Sequence, residues 1–205
     1  MPLLAQQELI EVAPERHVVV PSALRDVVGW WGIDVSTRRY NVGYVTQSMD
    51  RGVHSVRLGE ANDNVGERLT RFARQLRLLL QTMLGEGIAP PAVVFVEHPA
   101  GKNVEPVLWY AVGTATQVAY ETIADSYGYV PRVETIPPSS WKLKAVGRGN
   151  LPKPKRERGK PRPELDAYPV WRWARTLGLA ENASWDDADA YGIAEAARRT
   201  IGIAP

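Results

Sequence analysis

The chain has no cysteine, only three histidines, three methionines and two phenylalanines. Without cysteine there is no disulfide framework and no thiolate metal site. A bound metal would have to use carboxylates, carbonyls, water or the few imidazoles, which suits hard ions such as Mg²⁺ or Mn²⁺. No run approaches the roughly 18 apolar residues of a membrane helix, and the N-terminus lacks the basic-then-apolar order of a secretory signal. The expected location is therefore the cytoplasm, with no membrane association. What the chain does have is size and core: 205 residues, 44% hydrophobic and 23% charged, enough for one domain and well outside the disordered class.

The net charge is only +2, but the charges are segregated. Between residues 141 and 162 stand Lys142, Lys144, Arg148, Lys153, Lys155, Arg156, Arg158, Lys160 and Arg162 against the single acid Glu157, leaving 16 basic and 22 acidic residues elsewhere. A near-neutral globule with one strongly cationic segment is the footprint of a polyanion binder, and nucleic acid is the expected partner. Pro152, Pro154, Pro161 and Pro163 make residues 148–163 an extended basic loop.

Residues 1–27 read as an accessory segment, with an extra strand at 17–20 and a short turn or helix at 22–28. Three strands follow, over 30–36, 40–46 and 53–58, joined by short polar breaks as an antiparallel meander. On the first of them, period two puts Asp34 on one face with Gly32 and Ser36, and Ile33 and Val35 on the other; the small neighbours leave room around the carboxylate. A mid-strand aspartate is expensive to bury unless paired or metal-bound.

An amphipathic helix over 65–83 follows from Val65, Leu69, Phe72, Leu76, Leu79 and Met83 at helical spacing, with Arg68, Arg71, Arg74 and Arg77 as a solvated stripe. Residues 92–97 are continuously apolar up to Glu97, as in a strand buried on both faces whose C-terminal edge faces a site; His98 reads as a loop residue. A helix over 106–127 carries Ala111, Gly113, Ala115 and Ala119, small enough for close approach of a helix or a second subunit. A fifth strand covers 130–136, and Trp171 and Trp173 pack in a helix over 167–177.

The last helical pattern begins with Asp186, Asp187 and Asp189. Ser184 with Asp187 has the form of a capping box, and acids in a first turn complement the helix dipole. Alternatively, Asp186 and Asp189 share a helix face and offer two oxygen ligands to one point. The local sequence permits both.

Four blocks taken in order resemble the RuvC family of Holliday-junction resolvases. They are Gly32-Ile33-Asp34 on the first strand; Glu97 ending an apolar strand; Lys142, Gly147, Gly149 and Lys153 in a Lys-x₄-Gly-x-Gly-x₃-Lys pattern; and Asp186-Asp187-Ala188-Asp189-Ala190 on the last helix. The resemblance implies a ribonuclease H-like α/β fold over residues 28–205, with a five-stranded mixed sheet in the order 3-2-1-4-5. It implies Asp34, Glu97, Asp186 and Asp189 as ligands of two Mg²⁺ or Mn²⁺ ions, and Lys142 and Lys153 at the scissile phosphate.

The implied activity is paired nicking of Holliday junctions by a homodimer, leaving 5′-phosphate and 3′-hydroxyl ends, in a bacterium or a bacteriophage-infected cell. Lys144, Arg148, Lys155, Arg156, Arg158 and Lys160 would hold the DNA backbone, and Trp141 would face DNA. Family members carry an aromatic wedge about three residues after the strand-end Glu; here that position is Ala100, which opens a broader reading on the same site: flaps, forks or an RNA–DNA hybrid. A non-catalytic junction binder would be expected to have lost one of the four acids. The segment from Gly32 to Thr37 also resembles the first phosphate loop of sugar-kinase and actin-like ATPases, but the chain has no second lobe with glycine-rich loops.

Overall fold

The computed structural model describes residues 17–18, 24, 28–36, 39–57, 64–99, 104–155, 161 and 163–203. The sheet is built on β2 (Gly29–Val35), all of whose residues are buried. It pairs antiparallel with β3 (Arg39–Thr46), which pairs antiparallel with β4 (Arg51–Arg57). On its other edge β2 pairs parallel with β5 (Pro91–Glu97), and β5 with β6 (Arg132–Ile136). The spatial order β4-β3-β2-β5-β6 is the expected 3-2-1-4-5 arrangement of five mixed strands. A separate two-stranded sheet joins β1 (His17–Val18) in parallel to β7 (Gly202–Ile203). The strand expected at 17–20 is thus present in part, and most of residues 1–27 lie outside the described residues.

One face of the sheet carries α1 (Val65–Gly85) and α2 (Pro106–Tyr127). Asn64 caps α1 by accepting the Glu67 amide, and Phe72, Leu76, Leu79, Leu80 and Met83 form its buried stripe. Tyr40 ties this layer to the sheet, its ring edge-on to Phe72 and its hydroxyl donating to the Phe72 carbonyl at 2.9 Å. The apolar stripe is shorter than its spacing suggests, since Val65 is 46% exposed in the first turn. Nor is the arginine stripe wholly solvated: Arg77 is paired with Glu121 of α2, crossing the groove between the two helices.

The opposite face is covered by α5 (Trp185–Thr200), which is buried from Ala188 through Ala197. It lies between the sheet and two short helices, α3 (Pro138–Val146) and α4 (Pro169–Thr176). A helix enclosed on all sides needs small apolar residues, and five alanines with Gly192 supply them. The tryptophans of α4 pack as expected: the Trp171 indole donates to the Ala183 carbonyl at 2.9 Å, and Trp173 is edge-on to Tyr191. Among the described residues no helix is long and apolar enough to cross a membrane.

Candidate active site

Asp34 sits one residue before the end of β2, on the face turned to α5. Two glycines set how close that helix comes. Gly32 on β2 and Gly43 on β3 are register partners. A Cβ on Gly32 would stand 2.6 Å from the Ala190 carbonyl oxygen, and one on Gly43 2.5 Å from the Ala190 carbonyl carbon. The helix backbone therefore rests directly on the strand backbones. The space that Gly32 leaves beside Asp34 is filled by α5 rather than left open, and this brings the first turn of the helix over the Asp34 carboxylate.

The start of α5 is fixed by Asp187. Its Oδ2 accepts the Ser184 amide at 2.7 Å, the Ser184 hydroxyl accepts the Asp187 amide at 3.2 Å, and Ser55 on β4 donates to Asp187 Oδ1 at 2.5 Å. The capping box is complete, and its acid is also tied to the sheet edge. Asp187 is thereby used up, and Asp186 and Asp189 are left to point elsewhere. The capping-box alternative holds for Asp187, and Asp186 and Asp189 remain the pair whose oxygens converge.

Carboxylate oxygens of Asp34, Asp186 and Asp189 lie within 4.8 Å of one another. Asp34 and Asp189 are buried; the Asp186 side chain is 42% exposed, so the cluster opens to solvent on that side. Glu97, ending β5, stands near enough to the Asp34 carboxyl for its charge to act on it, but outside the converging group of three. Burial, then the neighbouring charges of Glu97 and Asp189, push the Asp34 carboxyl well above its usual range, against the pull of Lys153. Asp189 is raised to about 6, by burial first and by Glu97, against Lys153 and Tyr168, which favour its charged form.

Three further side chains complete the site. The Lys153 ammonium sits 2.7 Å from Asp186 Oδ1 and 2.6 Å from Asp189 Oδ2. Burial works against its charge, but Asp189, Asp34 and Asp186 together hold its pKa above the ordinary lysine value. The Tyr168 hydroxyl donates to Asp189 Oδ1 at 2.6 Å, and the Trp141 indole N–H donates to Glu97 Oε1 at 2.8 Å. Trp141 is fully buried, which corrects the expectation that it faces DNA. It lies against Gly192 of α5, and its nitrogen is consumed by the site itself.

Lys142 is also buried. Its ammonium lies over the rings of Trp141 and Tyr168, at 5.3 and 5.6 Å from their centroids, and donates to the Leu151 carbonyl at 3.0 Å. It thereby holds the segment that carries Lys153, two residues on. Lys144, Arg148 and Lys155 are exposed, whereas Arg156, Arg158 and Lys160 lie outside the described residues, as does Ala100. His98 follows Glu97 and is edge-on to Trp109, which is 45% exposed beside Tyr110, at 60%.

The donor set fits a hard divalent cation: three carboxylates converge, and all the donors are oxygen. Asn41, directly across from Asp34 on β3, is 1% exposed, and its Oδ1 has no hydrogen-bond partner. That is one more oxygen acceptor in the row beside Asp34. Sequence reasoning missed Asn41 and Tyr168 and gave Trp141 a different role. Pairing the meander would have set Asn41 opposite Asp34, but nothing local marked the two aromatic donors.

No protein-family model matches the sequence, and no curated protein does. Solved structures do match in fold. Thermus thermophilus RuvC superposes with a TM-score of 0.53 at 22% identity, over 81% of this chain and 90% of that one. T. thermophilus RuvC in complex with a Holliday junction substrate gives 0.52 at 18%, over 82% and 91%. The yeast mitochondrial Holliday junction resolvase Ydc2 gives 0.51 at 14%, over 87% and 80%. The chain thus has the RuvC-like, ribonuclease H-like fold, with its acidic cluster where β2 and α5 meet.

Proposed function

We propose that this chain is a metal-dependent endonuclease that resolves Holliday junctions by paired nicks, leaving 5′-phosphate and 3′-hydroxyl ends. The observation that carries the reading is the convergence of Asp34, Asp186 and Asp189, with the charge of Glu97 beside Asp34, on a fold shared with a RuvC whose structure holds a Holliday junction substrate. Gathering four carboxylates is costly without a cation to offset their repulsion. Asp34, Glu97, Asp186 and Asp189 would hold two Mg²⁺ or Mn²⁺ ions, which when bound supply an acidified water and neutralise the leaving oxygen.

The remaining work falls to the chain itself. Trp141 and Tyr168 each engage one oxygen of a carboxylate and so orient the other. Of the two lysines that the family resemblance sets at the scissile phosphate, Lys153 stands at the carboxylates and is assigned that role. Lys142 holds the Leu151 carbonyl and so acts through the placement of Lys153. Lys144, Arg148, Lys155, Arg156, Arg158 and Lys160 hold the DNA backbone. A homodimer would present two such sites to the two strands of a two-fold junction.

The test is Mg²⁺-dependent cleavage of synthetic four-way, flap, fork and linear substrates by the full chain. Nicks paired across the four-way junction are expected, together with loss of cleavage but not binding in Asp34→Asn. Cleavage retained by Asp34→Asn overturns the site assignment. Equal rates on flaps or forks replace junction resolution with the broader branched-DNA activity.

A further inference from the structure

Both oxygens of Asp189 are occupied by the chain's own donors: Oδ1 by the Tyr168 hydroxyl and Oδ2 by the Lys153 ammonium. The same ammonium holds Asp186 Oδ1, so it bridges two of the three converging carboxylates. An ion entering the cluster competes with this ammonium, like charge against like, for the same oxygens. Tyr168 is fully buried and held in the core, edge-on to Trp185; the Lys153 side chain is 37% exposed and has somewhere to go.

The backbone around Lys153 is stiff. Pro152 and Pro154 flank it, and a residue before proline is restricted to extended conformations. Lys142 anchors the segment through Leu151. Withdrawal of the ammonium is thus a rotation of one flexible side chain, with no refolding of the segment. The cluster carries a removable cation on a fixed post.

We propose that Lys153 is a resident counter-cation that closes the acidic cluster to divalent metal and must be expelled before an ion binds. The proposal rests on the reading of Asp34, Asp186 and Asp189 as a metal site. It makes metal loading conditional: anything that draws the ammonium away, a phosphodiester oxygen above all, raises the affinity of the cluster for metal, and by linkage metal raises the affinity for that phosphate. The substrate-free protein holds metal weakly.

The test is Mn²⁺ binding to the full chain without nucleic acid, by titration calorimetry on the wild type, Lys153→Met and Asp189→Asn. Lys153→Met is expected to bind Mn²⁺ at least tenfold more tightly than the wild type, and Asp189→Asn to lose binding. Equal or weaker binding by Lys153→Met, with binding lost in Asp189→Asn, overturns the counter-cation while the metal site stands. Unchanged binding in Asp189→Asn overturns both. A second measurement needs no variant to fold: acetylation of the wild type by an N-hydroxysuccinimide ester, read by peptide mass spectrometry. Saturating Mn²⁺ is expected to raise the rate at Lys153 several-fold and leave Lys144 and Lys155 unchanged; an unchanged rate at Lys153 overturns the proposal.

Discussion

Trp141 donates its indole N–H to Glu97 Oε1 at 2.8 Å from a position with no solvent exposure. The bond spans 44 residues of chain and links α3 to the end of β5. Trp141→Phe removes the donor and keeps most of the ring volume. The protein is expected to fold, and affinity for Mn²⁺ to fall about 10- to 100-fold, the usual loss for a group that orients a ligand. Tyr168→Phe does the same at Asp189 and adds about 1–3 kcal/mol of instability, because a buried carboxylate oxygen loses its partner. Calorimetric metal titration and thermal melts separate the two effects.

The raised carboxyls make metal-free stability depend on pH in a defined direction. Asp189 is lifted from 3.8 to about 6, and Asp34 is lifted as well, so the folded state binds more protons than the unfolded state across that interval. Their contribution is fully present below the unfolded value and is lost as pH rises through the folded one. Melting temperature in chelator is expected to fall between about pH 4 and 6 on account of this pair, and Asp189→Asn to flatten that fall. Saturating metal should reverse the slope, because it favours the charged forms.

Glu195 responds in the opposite sense. Burial raises its carboxyl, but hydrogen bonds and charge from Arg198 and Arg199 prevail and hold it below its ordinary value of 4.5. Its stabilisation is present above that value and is lost as pH falls through the lowered one. Glu195→Gln is expected to blunt acid unfolding below about pH 4.5 and to leave the slope between pH 4 and 6 in place. Melts of the two variants side by side check the separation.

Gly43→Ala and Gly32→Ala would each drive a methyl into the backbone of α5 and are expected to cost about 3 kcal/mol or more, with loss of metal binding. Gly113→Ala is the control: no atom lies within 4 Å of its Cβ, and in the interior of α2 the change is expected to stabilise the monomer by about 0.5–1 kcal/mol. Denaturant melts read all three.

Neutralising Lys155, Arg156, Arg158 and Lys160 together is expected to weaken junction binding. The dependence of log K on log salt should flatten by about 0.9 for each phosphate that the variant no longer neutralises. Fluorescence anisotropy between about 50 and 200 mM salt measures it, and an unchanged slope would remove this segment from the DNA interface.

Much of this was legible in the chain because each signal was local. Asp34 stood out as a charge in an apolar strand, Glu97 as the end of a doubly buried one, and Asp187 as the third residue after a capping serine. The succession of three strands, a helix, a strand, a helix and a strand suited the class that the resemblance implied, and the strand order came with that class. The misreadings concern distance. Trp141 and Lys142 lie in a run of positive charge, which reads as solvated surface; their burial depends on Tyr168, Leu151 and Gly192, none of them adjacent in sequence. Tyr168 finds Asp189 across 21 residues. Asn41 and Gly43 matter only once β3 is laid against β2 in register.

The paired glycines bear on which cation the protein could use. Where two backbones touch with no side chain between them, the separation of strand and helix cannot relax by a rotamer change. Asp34 and Asp189, both buried, project from the two backbones so joined, so the spacing of their Cα atoms is set by β2 and α5. Calcium asks for longer bonds and more oxygens than magnesium does, and a frame that cannot widen discriminates by ionic radius. Selectivity between the two ions would then be encoded by the carbon atoms that Gly32 and Gly43 lack.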